Sequence, residues 1–321
     1  MLNAYLNLLD LAKINADSKV IDLIEENLTS APEARIIPAM TVKGTSYTAL
    51  IRKTYPQPHF RAVGGVSNTV KSTYDNRLVN CFYLDGQLEM DTAAARADAR
   101  GEQHALDLEA SGVMKGSLLT LGSQLYYGVG TGGDALGFPG AQAVVDASLV
   151  KDATGTTATT GGSVYGFKLG DQYVNFVFGL GAIFTMGEWR KQFVTRTVGG
   201  VTGEQEAWKN CLAGYVGVQF VNKYAVGRIK NITEDVGHTL TDKLIGQWLA
   251  TYPVGLSPDV LFMSRRSVRQ LQESRSATSI TNARNVKASD GGFDVWAPEP
   301  TSSCGVPIVK TDSILDTEVL A

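Results

Sequence analysis

The spacing of apolar residues divides the chain into segments of different type, beginning with a helical arm. Two apolar stripes at helical spacing predict short helices within residues 1–30. Their members are Leu2, Leu6, Leu9 and Ile14 in the first stripe and Ile21, Ile24 and Leu28 in the second. Pro32 and Pro38 follow, and because the residue before a proline avoids the helical conformation, they predict an extended link.

Residues 43–84 have the pattern of a long two-stranded ribbon. Tyr47, Ala49 and Ile51 alternate with neighbouring positions, a proline-containing tip follows at 55–66, and a return run extends from 70 to 84. A two-stranded ribbon is at best marginally stable alone in water. We therefore expect another part of the protein, or another copy, to support it.

Helical spacing returns in residues 86–127, which contain no proline. Forty helical residues would extend about 60 Å, at about 1.5 Å per residue. A helix of this length is longer than an ordinary domain needs, so it indicates a strut. Glycines inside it weaken it, and we expect a bend near Gly101. The apolar stripe consists of Leu106, Ala110, Val113, Leu118, Leu121 and Leu125.

The rest of the chain predicts a mixed α/β arrangement. Strand-like patterns predict strands at 174–178, 182–185, 193–198, 224–232 and 260–263. Helical spacing predicts helices at 204–217, 239–250 and 265–275, the last with Ser264 as its N-cap. Residues 275–292 are polar and predict a loop, and 304–314 predict a final strand in which Pro307 suits an edge position.

Composition limits the class of protein. The chain has 321 residues, of which 44% are hydrophobic and 19% charged, so it can bury a substantial core. Its net charge of -3 argues against non-specific binding of nucleic acid through a general basic field. Thirty-four glycines, clustered in the middle of the chain, indicate many short connections between strands.

The cysteines and the N-terminus indicate a cytosolic site of synthesis. Cys81, Cys211 and Cys304 lie far apart without a CxxC pair, which favours reduced thiols. The N-terminus lacks a basic lead followed by an apolar run, so we do not expect a signal peptide. No run approaches about 18 apolar residues, so we expect no membrane contact.

Candidate catalytic chemistry is sparse. A Gly-x-Gly-x-x-Gly pattern occurs at 128–133, but a dinucleotide site needs a strand before it and a helix after it. A helical stripe precedes this pattern, so we expect a helix-to-loop exit. His59, His104 and His238 fall in unrelated segments. We therefore predict no catalytic residue, no metal ligand and no cofactor, while a soluble enzyme that uses this glycine-rich turn remains an alternative.

Charge is distributed unevenly along the ribbon and the predicted helix. Most of the charged residues in 43–85 are basic, and most of the charged residues in 89–109 are acidic. These segments are either two solvated faces or complementary surfaces, in which the ribbon of one subunit crosses the helix of another. On the second interpretation the interface candidates are Arg52, Lys53, Arg61, Lys71, Arg77, Glu102, Asp107 and Glu109.

Four stretches resemble the major capsid proteins of tailed bacteriophages. Residues 224–232, with Arg-Ile-x-Asn-Ile, look like a strand of that family, and 260–272 resemble its strand followed by a helix. Residues 304–318 resemble its terminal strand, and 137–146 look like the turn after its long spine helix. The order of these parts also matches, over nearly the whole chain.

The resemblance implies an α+β fold named after the phage Hong Kong 97. It divides the chain into an N-terminal arm (1–42), an extended loop (43–85), a peripheral domain with the spine helix (86–163), an axial domain (164–292) and a return to the peripheral domain (293–321). In that family the last strand lies beside the spine helix. Some relatives cross-link a loop lysine to a neighbour, and Lys53 and Lys71 lie in the loop. Some relatives also carry a removable scaffolding segment, whereas here the arm begins almost at Met1.

The function implied by the resemblance is a structural shell protein. Copies would form hexamers and pentamers of an icosahedral virion that encloses double-stranded DNA without sequence-specific binding. Portal proteins, and scaffolding or decoration proteins, would be its partners, and assembly would occur in the host bacterial cytoplasm. An encapsulin-type nanocompartment shell, which encloses an enzyme cargo, has the same fold and is the alternative.

Overall fold

Two β-sheets joined by one long helix organise the part of the chain that the computed structural model describes. This part comprises residues 31–181, 185–198, 200–282 and 297–320. The helices predicted within residues 1–30 lie outside it, as does most of the strand predicted at 182–185. Between Pro32 and Pro38, where the prolines predict an extended link, the chain forms one helical turn.

The element bounds are as follows. The helices are α1 (Glu33–Ile36), α2 (Thr92–Arg96), α3 (Glu102–Tyr127), α4 (Ala141–Val144), α5 (Asp242–Leu249) and α6 (Arg265–Asn282). The strands are β1 (Ala39–Thr41), β2 (Ser46–Thr54), β3 (Thr73–Asn80), β4 (Phe82–Asp91), β5 (Val150–Asp152), β6 (Gly162–Phe167), β7 (Val174–Phe178), β8 (Thr185–Met186), β9 (Arg190–Val198), β10 (Val201–Phe220), β11 (Val226–Ile232), β12 (Val260–Met263), β13 (Ser302–Ser303) and β14 (Val306–Lys310).

The first sheet is built around β10. Its strands lie in the order β1-β7-β10-β4, and β8 and β9 also pair with β10. The helix predicted at 204–217 is therefore wrong, because this segment is strand. Leu212, Val216 and Val218 are buried along it, and both of its edges pair with other strands. Pairing on two edges outweighs the helical spacing of a short segment.

The second sheet has the order β13-β14-β12-β6-β11-β5. The strands predicted at 174–178 and 260–263 are confirmed as β7 and β12, and 224–232 contains β11. The helix predicted at 265–275 continues to Asn282, so the first part of the predicted loop at 275–292 is helical, and the rest lies outside the described residues.

The long helix is shorter than its prediction. Residues 86–91 belong to strand β4, which pairs with β10 from Phe82 to Asp91. The Asp91 side chain then caps α2 by accepting a hydrogen bond of 2.9 Å from the Ala93 backbone N–H. The predicted bend is a complete break at Gly101, whose φ of 100° suits glycine. Helix α3 has 26 residues and extends about 39 Å.

The C-terminal half of α3 lies in the core between the two sheets. Tyr126 is fully buried, and its ring centroid lies 4.9 Å from that of Tyr165 and 5.9 Å from that of Phe167. Leu121 and Leu125 belong to the same apolar cluster. A second cluster beneath α5 is centred on Trp248, whose indole N–H donates to the Leu149 carbonyl at 2.8 Å.

The final segment connects α3 to the second sheet. Strand β14 pairs in parallel with β12, and it is residues 311–318, beyond that strand, that contact α3. The carboxylate of Glu318 accepts hydrogen bonds from Tyr127, at 2.8 Å, and from Ser163, at 2.5 Å. It also forms an ion pair of 2.9 Å with Arg228, and the two side chains are only 8% and 7% exposed.

The predicted domain boundaries do not coincide with the sheets. The boundary at 163/164 falls inside β6, and strand pairing joins β14 to β12 across the boundary at 292/293. Each sheet combines strands from both halves of the chain. The division into five parts stays a prediction about domains.

The glycines of α3 predict opposite effects of one substitution. A Cβ atom at Gly112 or Gly116 would meet nothing within 4 Å, whereas at Gly122 it would lie 2.3 Å from the Ser313 Oγ. We expect Gly112→Ala and Gly116→Ala each to stabilise the fold by up to about 1 kcal/mol. Gly122→Ala should destabilise it, as measured by urea unfolding. Equal effects at all three positions would contradict the close approach of the final segment to α3.

Truncating Glu318 should destabilise the protein strongly, because it leaves the buried Arg228 cation without its partner. We expect Glu318→Ala to lower the free energy of unfolding by about 3–5 kcal/mol. The matched control is Glu299→Ala, which removes the exposed ion pair of 2.5 Å with Lys310 and should cost about 1 kcal/mol or less. Similar losses in both variants, measured by urea unfolding, would show that the buried pair has no special role.

Glu33 makes stability depend on pH. Burial raises the pKa of this carboxyl, outweighing the hydrogen bonds that it accepts from Thr311 and Tyr126. The folded chain therefore keeps this proton where the unfolded chain loses it, and this contribution to stability is lost as pH rises through the raised pKa. We expect Glu33→Gln to be more stable than wild type near neutral pH, with a smaller difference in acid. A pH-independent difference in urea unfolding would contradict this.

Candidate assembly surfaces

The base of the ribbon is fixed to the first sheet. Strands β2 and β3 pair in antiparallel fashion, as the sequence predicts, and Tyr47, on the inner face, packs against an apolar cluster that contains Val79 and Val177. The Tyr47 hydroxyl donates to the Gln219 side chain, and burial raises the pKa of Tyr47 to about 12. Arg77 donates to the Val221 carbonyl at 2.8 Å. These contacts set the direction in which the ribbon leaves the body.

The outer face and the tip of the ribbon expose large apolar side chains. Leu50 and Leu78 are 70% and 63% exposed on the outer face. In the tip, Phe60 and Val63 are fully exposed. Several large apolar side chains exposed on one ribbon indicate an interaction site. The ribbon therefore presents a surface for binding another molecule.

The predicted basic interface residues remain on this ribbon. Arg52 lies over the rings of Tyr55 and Tyr74, 5.6 Å and 5.4 Å from their centroids. Lys53 pairs with Asp75 at 2.7 Å and lowers the pKa of that carboxyl.

Arg61 and Lys71 lie in the exposed segment between the two strands. The Arg61 guanidinium donates to the Gly65 carbonyl at 2.7 Å, within the tip. The ribbon cations therefore lie where a neighbouring molecule could meet them.

The predicted acidic interface residues differ among themselves. Glu102 accepts a hydrogen bond from the Trp208 indole and lies 3.8 Å from the Lys191 ammonium. These partners belong to the β9–β10 hairpin of the same chain, and an interface role for Glu102 stays a prediction. Asp107 is exposed and accepts from Gln103 at 2.8 Å, while Glu109 is half-buried. An interface role for Asp107 and Glu109 stays a prediction.

Residues 111–120, in the middle of α3, are mostly exposed to solvent. Met114 and Leu118 are 39% and 38% exposed, and the space around Gly112 and Gly116 is open. By contrast, the helix is buried from Leu121 onward. The helix therefore serves as a core element at one end and as an exposed surface in its middle.

A groove beside α3 was not predicted. It has a volume of about 220 Å³ and lies between the start of β4, one turn of α3 and the loop at 134–138. Its lining includes Phe82, Leu121, Leu136 and Phe138. No sequence pattern marks it, because the lining comes from separate segments that the fold brings together.

The remaining candidate residues do not form a reaction centre. The glycine-rich turn at 128–133 is a helix exit, as predicted, since Gly128 ends α3 with a φ of 56°. His104 Nδ1 lies 2.8 Å from the buried Asp98 carboxylate, and His238 contacts the Ala153 carbonyl. Among the residues that the structure describes, no group of three or more His, Cys, Asp or Glu side chains could hold a metal ion. In the same ranges no helix is both long and apolar enough to span a bilayer.

The comparisons with known proteins bear on the fold. No family model and no curated protein matches the chain. A chain from a near-atomic-resolution structure of bacteriophage epsilon15 is 16% identical, covers 100% of this chain and 98% of its own length, and has a TM-score of 0.68.

Two other similar structures have a TM-score of 0.45 and 9% identity. One is the capsid of an empty GTA particle, which covers 70% of this chain and 99% of its own. The other is the SrpI encapsulin of Synechococcus elongatus PCC 7942, which covers 72% and 96%. The full-length likeness to the epsilon15 chain shows that this α+β chain has the Hong Kong 97-like fold.

Proposed function

We propose that the chain is the major capsid protein of a tailed bacteriophage. Copies assemble into hexamers and pentamers, which close into an icosahedral shell around double-stranded DNA. The role is structural and not enzymatic. The observation that supports this proposal is the ribbon, whose tip holds Tyr55, Phe60, Val63 and Val66 at least 76% exposed on a chain with this fold.

Assembly follows from burying that surface. Each square ångström of apolar surface removed from water contributes about 25 cal/mol, so one ribbon contact is modest. Many such contacts in a closed shell reinforce one another, because each copy is held at several places. The exposed middle of α3 provides a second surface for contacts between copies in the shell.

The contents of the shell are held by confinement. A net charge of -3 disfavours tight binding of DNA by each copy. In this proposal the protein is a virion component assembled in the host cytoplasm. A portal, and scaffolding or decoration proteins, would complete the particle.

Electron microscopy of the purified protein tests the proposal directly. Closed particles, formed at high concentration and containing phage DNA when isolated from infected cells, are the expected result. Particles that instead contain a protein cargo would identify an encapsulin-type shell. A monomer that stays unassembled at every salt and protein concentration would overturn the proposal.

Reversing the charge of the ribbon tip should prevent shell closure. We expect Arg61→Glu combined with Lys71→Glu to abolish closed particles, because the tip then repels an acidic partner surface. The isolated chain should keep its circular dichroism spectrum and melting temperature, since both residues are exposed.

The matched control reverses two exposed cations outside the ribbon, Arg35 and Lys243. Arg35→Glu with Lys243→Glu changes the net charge by the same amount and should leave assembly intact. Equal loss of particles in both variants would assign the effect to net charge and not to the ribbon.

A further inference from the structure

The Glu33 side chain lies where three segments of the body meet. Its Oε1 accepts hydrogen bonds from the Tyr126 hydroxyl of α3, at 2.9 Å, and from the Thr311 hydroxyl of the final segment. Glu33 is only 1% exposed and belongs to α1, from which the chain continues into β1 and the first sheet. One buried carboxyl group therefore connects the segment that enters the first sheet to α3 and to the final segment.

These segments are closely packed around the carboxyl group. A Cβ atom at Gly122 of α3 would lie 2.3 Å from Ser313 Oγ and 3.1 Å from the Ala31 Cβ. Ile37 is 3% exposed, and its backbone N–H donates to the Glu33 carbonyl at 2.9 Å. Residues 31–37, which we call the entry segment, therefore lie directly against α3.

Two buried polar atoms at this place have no hydrogen-bond partner among the residues that the structure describes. They are Oε2 of Glu33 and the hydroxyl oxygen of Ser313, which lies beside the carboxyl group. A buried polar atom without a partner destabilises a fold. A proton on Oε2, donated to Ser313 Oγ, gives both atoms a partner at once.

In the described part of the chain, no cationic side chain forms an ion pair with Glu33. Arg35, on the same helical turn, is exposed, and Asp312 of the final segment pairs with Arg265 at 3.0 Å. Tyr126 is the titratable group that faces Glu33 from α3, and burial raises its own pKa, so it stays neutral. Burial therefore raises the pKa of Glu33, although the hydroxyl groups that bind its carboxyl oxygens act in the opposite direction.

We propose that Glu33 is a pH-dependent switch, in which a proton on Oε2 holds the entry segment against α3 and the final segment. Once the proton is lost, the carboxylate is more stable in water than in its buried place. The entry segment then detaches more often, while the two sheets stay folded. The inference goes beyond the proposed function and does not depend on assembly, since every group involved belongs to one chain.

Hydrogen exchange of the Ile37 amide tests the switch in the isolated chain. The opening constant is compared between wild type and Glu33→Gln at each pH, so that the intrinsic pH dependence of exchange cancels. The Gln side chain keeps an acceptor for Tyr126 and Thr311 and cannot ionise. We expect the ratio of wild type to variant to rise by up to about tenfold for each pH unit between the ordinary and the raised pKa of Glu33, and to stay constant above it.

The matched control is Glu299→Gln, which removes an exposed carboxylate and should keep the wild-type pH profile. The amide of Phe262, in the buried strand β12, reports opening of the whole body. Above the raised pKa, Ile37 should open more often than Phe262. A ratio that does not change with pH, or equal opening constants at Ile37 and Phe262, would overturn the switch.

Infrared spectroscopy locates the proton. At a pH just above the range in which exposed carboxyl groups titrate, the carbonyl band of a protonated carboxyl group should be present in wild type and in Glu299→Gln. We expect this band to disappear in Glu33→Gln. In Ser313→Ala it should shift, because the donated proton loses its acceptor. A band that persists in Glu33→Gln, or one that Ser313→Ala leaves unchanged, would contradict the proposed proton position.

Discussion

The arrangement of the second sheet, α3 and the final segment depends on the buried contacts of the Glu318 carboxylate. It meets Arg228 of the second sheet and Tyr127 at the end of α3, so one buried charge connects the last residues of the chain to both. A buried ion is tolerated only when its partners satisfy it, so these groups must be in place together. The hydroxyl of Ser163 contacts both charged groups and completes the set.

The body of the chain has a well-packed core, whereas its ribbon leaves large apolar side chains exposed. The second half of α3 is buried between the sheets, and Gln124 fixes the loop beside it. The ribbon, in contrast, buries only the inner face of its base. Apolar groups that folding leaves in water provide the driving force for association. In the proposed function, folding and assembly therefore use different residues of one polypeptide.

Strands whose side chains are buried on both faces could be predicted from the sequence. Residues 260–263 are a continuous apolar run, residues 174–178 are apolar except for Asn175, and such runs indicate strands in the interior of a sheet. The helix predicted at 204–217 is wrong because the segment pairs along one edge with β4, more than a hundred residues earlier, and also with β7, β8 and β9. The helix predicted from residue 86 is wrong over 86–91 because these residues pair with β10, and local spacing contains no information on distant pairing.

Among the candidate surfaces, too, those that depend on local sequence could be predicted, and those that depend on tertiary contacts could not. The ribbon and its exposed cations follow from local pattern and charge, so the sequence predicts them. The partners of Glu102 depend on where the β9–β10 hairpin lies, and the groove depends on the meeting of β4, β10, α3 and the loop at 134–138. The resemblance to capsid proteins identified the segments that contain Arg228 and Glu318, but it did not indicate that these two side chains meet.

Gly112 and Gly116, in the exposed middle of α3, affect how easily this helix bends. Gly112 and Gly116 lower local helix stability by about 1 kcal/mol each relative to alanine, and no tertiary contact of theirs replaces it. Bending therefore costs least at this place, between the start of the helix and its buried end. In the proposed shell, the chain has to fit rings of both five and six copies, and a point at which α3 bends easily helps identical subunits to meet at unequal angles.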